Sequence, residues 1–149
     1  MTVKHMRLGF NIYNVGGDGY EPIGNVSRNA GKPPASTSSG LSPLPTVVDK
    51  SGGPQVIQKE FLDQRKHFFS TLYLDSNARV NPPDEEHQTR YALGDPTEAA
   101  LVSLAQKVGI DTEKRDDFYK EEHQYGFDSV RKMMSSVRDI DGEKLLYVK

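Results

Sequence analysis

The segment "GDPTEAALVSLAQKVGID", residues 94–111, carries the strongest structural signal in the sequence. Asp95 is a good N-cap, and Pro96 stands at the first helical position, where its missing N–H costs nothing. Glu98, three residues after the cap, predicts a capping box. Gly109 provides the C-terminal stop, after apolar residues at the spacing of a buried helix face: Leu101, Leu104, Ala105 and Val108. Local chemistry alone explains this helix, so Glu98 needs no further role.

Two strand-like runs, "RKMMSSV" and "KLLYVK", lie within residues 131–149. Asp141-Gly142 between them is a hairpin signal. If Lys132 lies on the first strand, the twofold period places Lys132 and Met134 on one face, with Phe127 entering just before them. Periodicity favours core packing for Phe127 and leaves a surface on which a flat ligand stacks as the alternative.

The chain before this region predicts a mixture of strands and helices. Residues 2–10 alternate as in a half-exposed strand. The glycine-rich run "NVGGDGYEPIGNV" then predicts a reversal into a short strand at residues 20–26. A phosphate-cradling loop is the alternative, but that motif requires a strand-to-helix context that does not follow here.

Residues 56–76 show helical spacing of apolar side chains, which predicts one amphipathic helix with a stripe of Ile57, Phe61, Phe68, Phe69 and Leu72. Residues 77–95 are interpreted as a loop broken by two prolines, and the charged residues 112–125 as partly helical. Residues 27–55 are rich in proline, serine and glycine, which predicts a flexible insertion inside a single domain.

Composition narrows the classes of function. The 149 residues suit one domain with one core, and 19 basic against 21 acidic side chains give a formal net charge of −2. This balance predicts neither a nucleic-acid partner nor direct contact with an anionic membrane. The chain has no cysteine, its four histidines have no metal-ligand spacing, and no apolar run reaches membrane-spanning length. We therefore expect no metal site.

Several motifs together resemble the nucleotide-binding domain of P-type cation-transporting ATPases, and most of all its bacterial calcium-transporting members. The motifs are "GDPTEAAL", "FDSVRKMMS" and the terminal "LLYVK", with "NARV" and "GDGYEPIG" in support. They stand in the family's order and cover nearly the whole chain outside residues 27–55. The resemblance implies an α+β fold, with a twisted antiparallel sheet and helices packed against it. It also implies a cytoplasmic domain of a membrane-embedded parent pump.

The resemblance implies that the chain binds ATP. Phe127 matches the aromatic residue that stacks on adenine, and Lys132 matches a lysine that lines the pocket. Glu98 matches an acidic residue near the adenine amino group, Met134 lies in the same motif as Lys132, and Lys149 matches the lysine of a lysine-glycine-alanine motif. A helix cap and a nucleotide contact both remain open for Glu98.

We expect no catalytic residue in this chain, which by resemblance would be a partial domain ending at that lysine. Asp49 in "DKSGG" departs at two of five positions from the family's phosphorylation motif, and it stands in the predicted insertion. The resemblance implies that Mg²⁺ comes with the nucleotide, with ligands mainly from a separate phosphorylation domain. That domain and an actuator domain would be the partners. The alternative function is a non-catalytic interaction module with the same fold and little nucleotide affinity.

Overall fold

The computed structural model describes residues 1–24, 26–28 and 59–149, and these residues confirm the predicted α+β class. In chain order the elements are β1 (His5–Leu8), β2 (Asn11–Val15), β3 (Val26–Arg28), α1 (Lys59–Gln64), α2 (Lys66–Leu74), β4 (Arg79–Asn81), β5 (Tyr91–Leu93), α3 (Pro96–Lys107), α4 (Arg115–Phe118), β6 (Lys120–Asp128), β7 (Met133–Ile140) and β8 (Glu143–Val148). Within these residues the strands form three antiparallel sheets, in the orders β1-β2-β3, β4-β5 and β6-β7-β8.

Helix α3 begins and ends where the sequence predicts. The side chain of Asp95 accepts hydrogen bonds from the amides of Thr97, at 2.8 Å, and Glu98, at 3.1 Å. The hydrogen bond from the Glu98 amide, followed by the one from the Thr97 amide, contributes most to holding the pKa of Asp95 below its usual value. Gly109 has a φ of 88°, the left-handed conformation that ends many helices.

Helices α2 and α3 pack against each other and join two hydrophobic clusters. The first cluster connects them to the C-terminal sheet and contains Tyr73, Leu74, Ala78, Val80, Ala99, Val102, Ala105, Ile140 and Tyr147. The second connects them to the N-terminal sheet and contains Met6, Tyr13, Val15, Phe69, Leu72, Leu104 and Val108. Both helices contribute to both clusters, so α2 and α3 together connect the N-terminal and C-terminal sheets of the described fold.

The N-terminal sheet differs from the prediction of one strand over residues 2–10. The chain reverses at Gly9, whose φ is 60°, and β1 and β2 form a hairpin. Ser27 and Arg28, the first residues of the predicted insertion, belong to β3, so the strand predicted at residues 20–26 begins only at Val26. The rest of the insertion, with Asp49, lies outside the described residues.

The glycine-rich loop forms a tight turn against α3. Gly17 has a φ of 77°, and a Cβ atom there would lie 2.1 Å from the carbonyl oxygen of Ile23. The ammonium of Lys107 donates to the carbonyl oxygens of Gly16, at 3.4 Å, and Gly17, at 3.2 Å. The loop therefore presents carbonyl groups to a lysine, which is consistent with a turn rather than a phosphate cradle.

Three further differences concern short or exposed elements. The helix predicted over residues 56–76 is interrupted at Arg65, which separates α1 from α2. The loop predicted over residues 77–95 contains the two-stranded sheet of β4 and β5. Residues 120–125, predicted as part of a helical stretch, belong to β6, because main-chain pairing with β7 decides their conformation.

In the C-terminal sheet, Asp141 and Gly142 form the predicted turn between β7 and β8, both with positive φ. The buried guanidinium of Arg138 fixes this sheet to its neighbours. It donates to the carbonyl oxygen of Leu74 at the end of α2, at 2.7 and 3.1 Å, and to the carboxylates of Asp116, at 2.9 Å, and Glu121, at 2.6 Å. The end of α2 is therefore held against the face of the sheet formed by β6, β7 and β8.

Candidate functional site

The predicted site residues meet where β7 begins and β8 ends. The amide of Met134 donates to the carbonyl oxygen of Lys149, at 2.8 Å, and the amide of Lys149 donates to the carbonyl oxygen of Met134, at 3.0 Å. Lys149 therefore continues the pairing one residue beyond β8. Because Tyr147 pairs with Ser136, the alternation of faces puts Lys149 on the side of the sheet that packs against α2.

Glu98 connects α3 to this edge of the sheet. One carboxylate oxygen, Oε1, accepts from the Lys149 ammonium at 3.1 Å, and both side chains are about one fifth exposed. The other oxygen, Oε2, accepts from the amides of Asn77, at 2.9 Å, and Ala78, at 3.3 Å, and from the hydroxyl of Ser76, at 3.3 Å.

These contacts show that the predicted capping box is wrong. Asp95 caps α3, but the Glu98 carboxylate turns to residues 76–78 instead of to the Asp95 amide. The physical reason is that main-chain donors outside regular structure need an acceptor, and the chain between α2 and β4 offers amides beside the start of α3. The helix N-terminus also favours a negative charge at this position.

Phe127 is 65% exposed, so the core packing favoured by periodicity is wrong. Tyr125 pairs with Ser135 and Asp128 pairs with Met133, so β6 has two residues, Gly126 and Phe127, where β7 has one, Met134. This β-bulge interrupts the alternation of faces. The simple alternation that would put Phe127 on the same face as Tyr125 therefore does not hold at this position.

Lys132 is not on a strand, which corrects the prediction that it shares a strand face with Met134. It lies in the turn between β6 and β7, where its amide donates to the carbonyl oxygen of Asp128 at 2.7 Å. Its φ of 57° is unusual for a lysine and allows the turn to close. Its side chain is exposed, and the turn follows directly after the part of β6 that contains the bulge.

Met134 is only 3% exposed and belongs to the core. The structure therefore brings Glu98, Met134 and Lys149 into one contact region and places Phe127 opposite Met134, with Lys132 at the neighbouring turn. The resulting surface, with Phe127, Lys149 and Glu98 around Met134, is called the Phe127–Lys149 surface below. It combines an exposed ring, an ammonium and a carboxylate.

Sequence reasoning missed Asp75, which follows directly after α2. Its side chain is fully buried, and neither carboxylate oxygen has a hydrogen-bond partner among the described residues. Burial raises the pKa of Asp75 to about 6. The positive charges of Lys149 and Arg138 oppose this rise in pKa, and the negative charges of Glu98 and Glu121 add to it. A polar run, Asp75-Ser76-Asn77, directly after an apolar helix was the signal that could have marked it.

Other parts of the described structure offer less. Two cavities of about 130 and 350 Å³ adjoin Thr112 and Glu113, and neither is lined by a residue of the Phe127–Lys149 surface. Within residues 1–24, 26–28 and 59–149, no three histidine or acidic side chains are grouped as metal ligands. No helix in this part of the chain has the length and apolar character needed to cross a membrane.

Comparison with known proteins matches this chain to one protein family and to two calcium-transporting ATPases. The model of a family described as "P-type ATPase, cytoplasmic domain N" matches residues 65–149, which include every predicted site residue. The chain is 30% identical over 138 residues to the calcium-transporting ATPase of Bacillus subtilis (strain 168), a match covering 92% of this chain and 12% of that protein. Calcium-transporting ATPase 1 of Lactococcus lactis subsp. lactis (strain IL1403) is 39% identical over 57 residues, which are 38% of this chain and 6% of that protein. The chain thus spans about a tenth or less of the length of these relatives.

Proposed function

Because the chain belongs to the family of the cytoplasmic domain N of P-type ATPases, as its motifs predicted, we propose that it binds an adenine nucleotide at the Phe127–Lys149 surface. One observation carries the proposal: the β-bulge opposite Met134, the residue that pairs with Lys149, contains an exposed aromatic residue, Phe127. An exposed phenylalanine beside a part-buried ion pair contributes little to the core, and it suits a ligand with a flat apolar ring and polar edges.

Each side chain fits a part of the nucleotide. The ring of Phe127 can stack on a purine, a contact typically worth about 1–3 kcal/mol per base. The Lys149 ammonium can donate to ring nitrogens or phosphate oxygens, and the Glu98 carboxylate can accept from the purine amino group. Met134 supplies a polarizable side chain beneath these groups, and exposed Lys132 offers a second ammonium at the open side.

The names of the relatives support a context for this site in a larger pump. The proposed function is to deliver ATP to the phosphorylation domain of a cation-transporting, and specifically calcium-transporting, pump that also has an actuator domain. Mg²⁺ would be bound with the nucleotide, and the reacting carboxylate would belong to the phosphorylation domain. Residues 1–149 would then belong to one nucleotide-binding domain, with the insertion beginning only after Arg28, the last residue of β3.

The affinity of this open surface should be low. One stacked base and a few partly solvated polar contacts leave only a few kcal/mol after the cost of association, which corresponds to a dissociation constant on the order of a millimolar. Phe127→Ala should weaken the binding of ATP and AMP equally, by about 1–3 kcal/mol, because the ring contacts the base and not the phosphates.

Tyr125→Ala is the matched control for this test. Tyr125 is also an exposed aromatic residue of β6, but it pairs with Ser135 on the other face of the sheet. Its removal should leave nucleotide affinity unchanged. If both variants bind ATP and AMP as the wild-type chain does, or if the wild-type chain binds neither ligand, the interaction-module alternative is favoured and the nucleotide proposal fails.

A further inference from the structure

Asp75 is a buried acidic group for which the proposed function has no role. It ends α2, where its amide donates to the carbonyl oxygen of Thr71 at 3.3 Å, and the next residue, Ser76, donates to Glu98. Its carboxyl group is fully buried and makes no hydrogen bond within the described residues. Buried polar groups nearly always have partners, so an unpartnered carboxyl beside a candidate site requires an explanation.

Four charged groups, on or directly after four different elements, act on Asp75. Lys149, after β8, and Arg138, on β7, attract its negative charge, whereas Glu98, on α3, and Glu121, on β6, repel it. Arg138 is already engaged by Asp116, Glu121 and the Leu74 carbonyl group. Lys149 has one carboxylate contact, to Glu98, so its ammonium is the cation available to balance an ionised Asp75.

The balance of charge near Lys149 therefore depends on one proton. When Asp75 is ionised, its charge and that of Glu98 both act on the single ammonium of Lys149, and the three groups together have a net negative charge. When Asp75 is protonated, Glu98 alone balances Lys149. Burial places this change near pH 6, since the pKa of Asp75 is raised to about that value.

We propose that Asp75 is a positioning residue that makes the binding of a phosphate-bearing ligand at Lys149 dependent on a proton. The proposal rests on the proposed function of the Phe127–Lys149 surface and adds a regulation of that site. Protonation removes a negative charge behind Lys149, so its ammonium is more available to an anionic ligand. Asp75 itself is buried and does not contact the ligand.

The test compares ADP affinity in wild-type chain and Asp75→Asn between pH 5 and pH 7.5. Asp75→Asn should bind ADP roughly threefold to tenfold more tightly than wild type at pH 7.5, the size expected for one nearby charge at a solvated site. The two chains should bind equally at pH 5. The phosphates of ADP titrate in both experiments, so the ratio of the ADP affinities of Asp75→Asn and wild type reports the effect of Asp75 alone. Uncharged adenosine should show a smaller ratio at pH 7.5.

Asp141→Asn is the matched control, because it also removes one negative charge but lies in the exposed β7–β8 turn, at the other end of β8 from Lys149. Asparagine accepts the positive φ of that position. Its ratio to wild type should be close to one at every pH. A merely structural role of Asp75 would give a ratio that does not change with pH, and that result overturns the proposal.

A second measurement separates this proposal from the proposed function. In the ligand-free wild-type chain, the NMR resonances at the end of the Lys149 side chain should move with a midpoint near pH 6, and this step should disappear in Asp75→Asn. Absence of the step in wild type overturns the coupling of Asp75 and Lys149, even if ADP binds. If ADP binds to neither chain at any pH while the step is present, the nucleotide proposal and the role of Asp75 in it fail together, and only the coupling stands.

Discussion

Replacement of Asp75 by asparagine should stabilise the protein at neutral pH, although Asp75 is one of the most completely buried residues. Burial raises its pKa from 3.8 to about 6 in the folded chain, so the folded state binds the proton more tightly than the unfolded state does. The folded state therefore has no ionisation cost below pH 3.8. As the pH rises through about 6, Asp75 becomes charged inside the protein, and the stability that protonation provided is lost.

The expected magnitude follows from this difference in pKa. A rise from 3.8 to about 6 corresponds to about 3 kcal/mol between the two protonation states. Asparagine has nearly the same shape as the protonated carboxyl and cannot ionise. Asp75→Asn should accordingly be about 2–3 kcal/mol more stable than wild type at pH 7.5, or roughly 4–12 °C in melting temperature, and nearly equal to wild type at pH 4.

Urea unfolding of both chains at pH 4, 5.5, 6.5 and 7.5 measures this difference. Asp141→Asn again serves as the control, because an exposed turn residue should change the free energy of unfolding by less than about 0.5 kcal/mol at every pH. An Asp75→Asn chain that is equal to or less stable than wild type at pH 7.5 would refute the reasoning, because the buried carboxylate would then have a favourable partner.

Three other outcomes are expected. Gly17→Ala should lose more than about 2 kcal/mol of stability, because its Cβ would lie 2.1 Å from the Ile23 carbonyl oxygen at a φ of 77°. Gly9→Ala, whose Cβ would have no atom within 4 Å, should lose only about 1–2 kcal/mol. Equal losses of the two variants in urea unfolding would contradict this expectation. Lys132→Gly should leave the stability unchanged or raise it by up to about 1 kcal/mol, because glycine adopts the positive φ without strain. In the same variant, ATP affinity measured by calorimetry should fall and adenosine affinity should not. A clear loss of stability would disprove the account of the turn. The chain alone should form no acid-stable phosphoenzyme with γ-labelled ATP, and retained label that disappears in Asp49→Asn would overturn this expectation.

The sequence predicts elements whose ends are set by local chemistry. Helix α3 has a cap at Asp95 and a stop at Gly109, and the β7–β8 turn has Asp141-Gly142, so each is determined within a few residues. Strand β6 could not be found in this way. Nearly all its side chains are exposed, so it lacks the alternation of apolar and polar residues that marks a half-buried strand, and main-chain pairing with β7 determines its conformation.

The motifs predict which residues belong to the candidate site, but they do not predict its geometry. The direction of Glu98 depends on amides of residues 76–78, which are about twenty positions away in the chain. The exposure of Phe127 depends on a bulge defined only by pairing with β7. Lys132 leaves the strand because the turn requires its left-handed conformation. These features depend on contacts between distant parts of the chain or on backbone conformation, so they cannot be recognised from the residue types alone.

NMR titration of the uniformly labelled chain with AMP tests the central claim most directly. The account predicts shifts at Phe127, Met134 and Lys149 that saturate in the millimolar range, with no shifts at Tyr125 and Leu146, which lie on the other face of the same sheet. Phe127→Ala should remove most of these shifts while the spectrum remains that of a folded protein. Shifts on the Tyr125 face, or no saturable shift in the wild-type chain, would contradict the account.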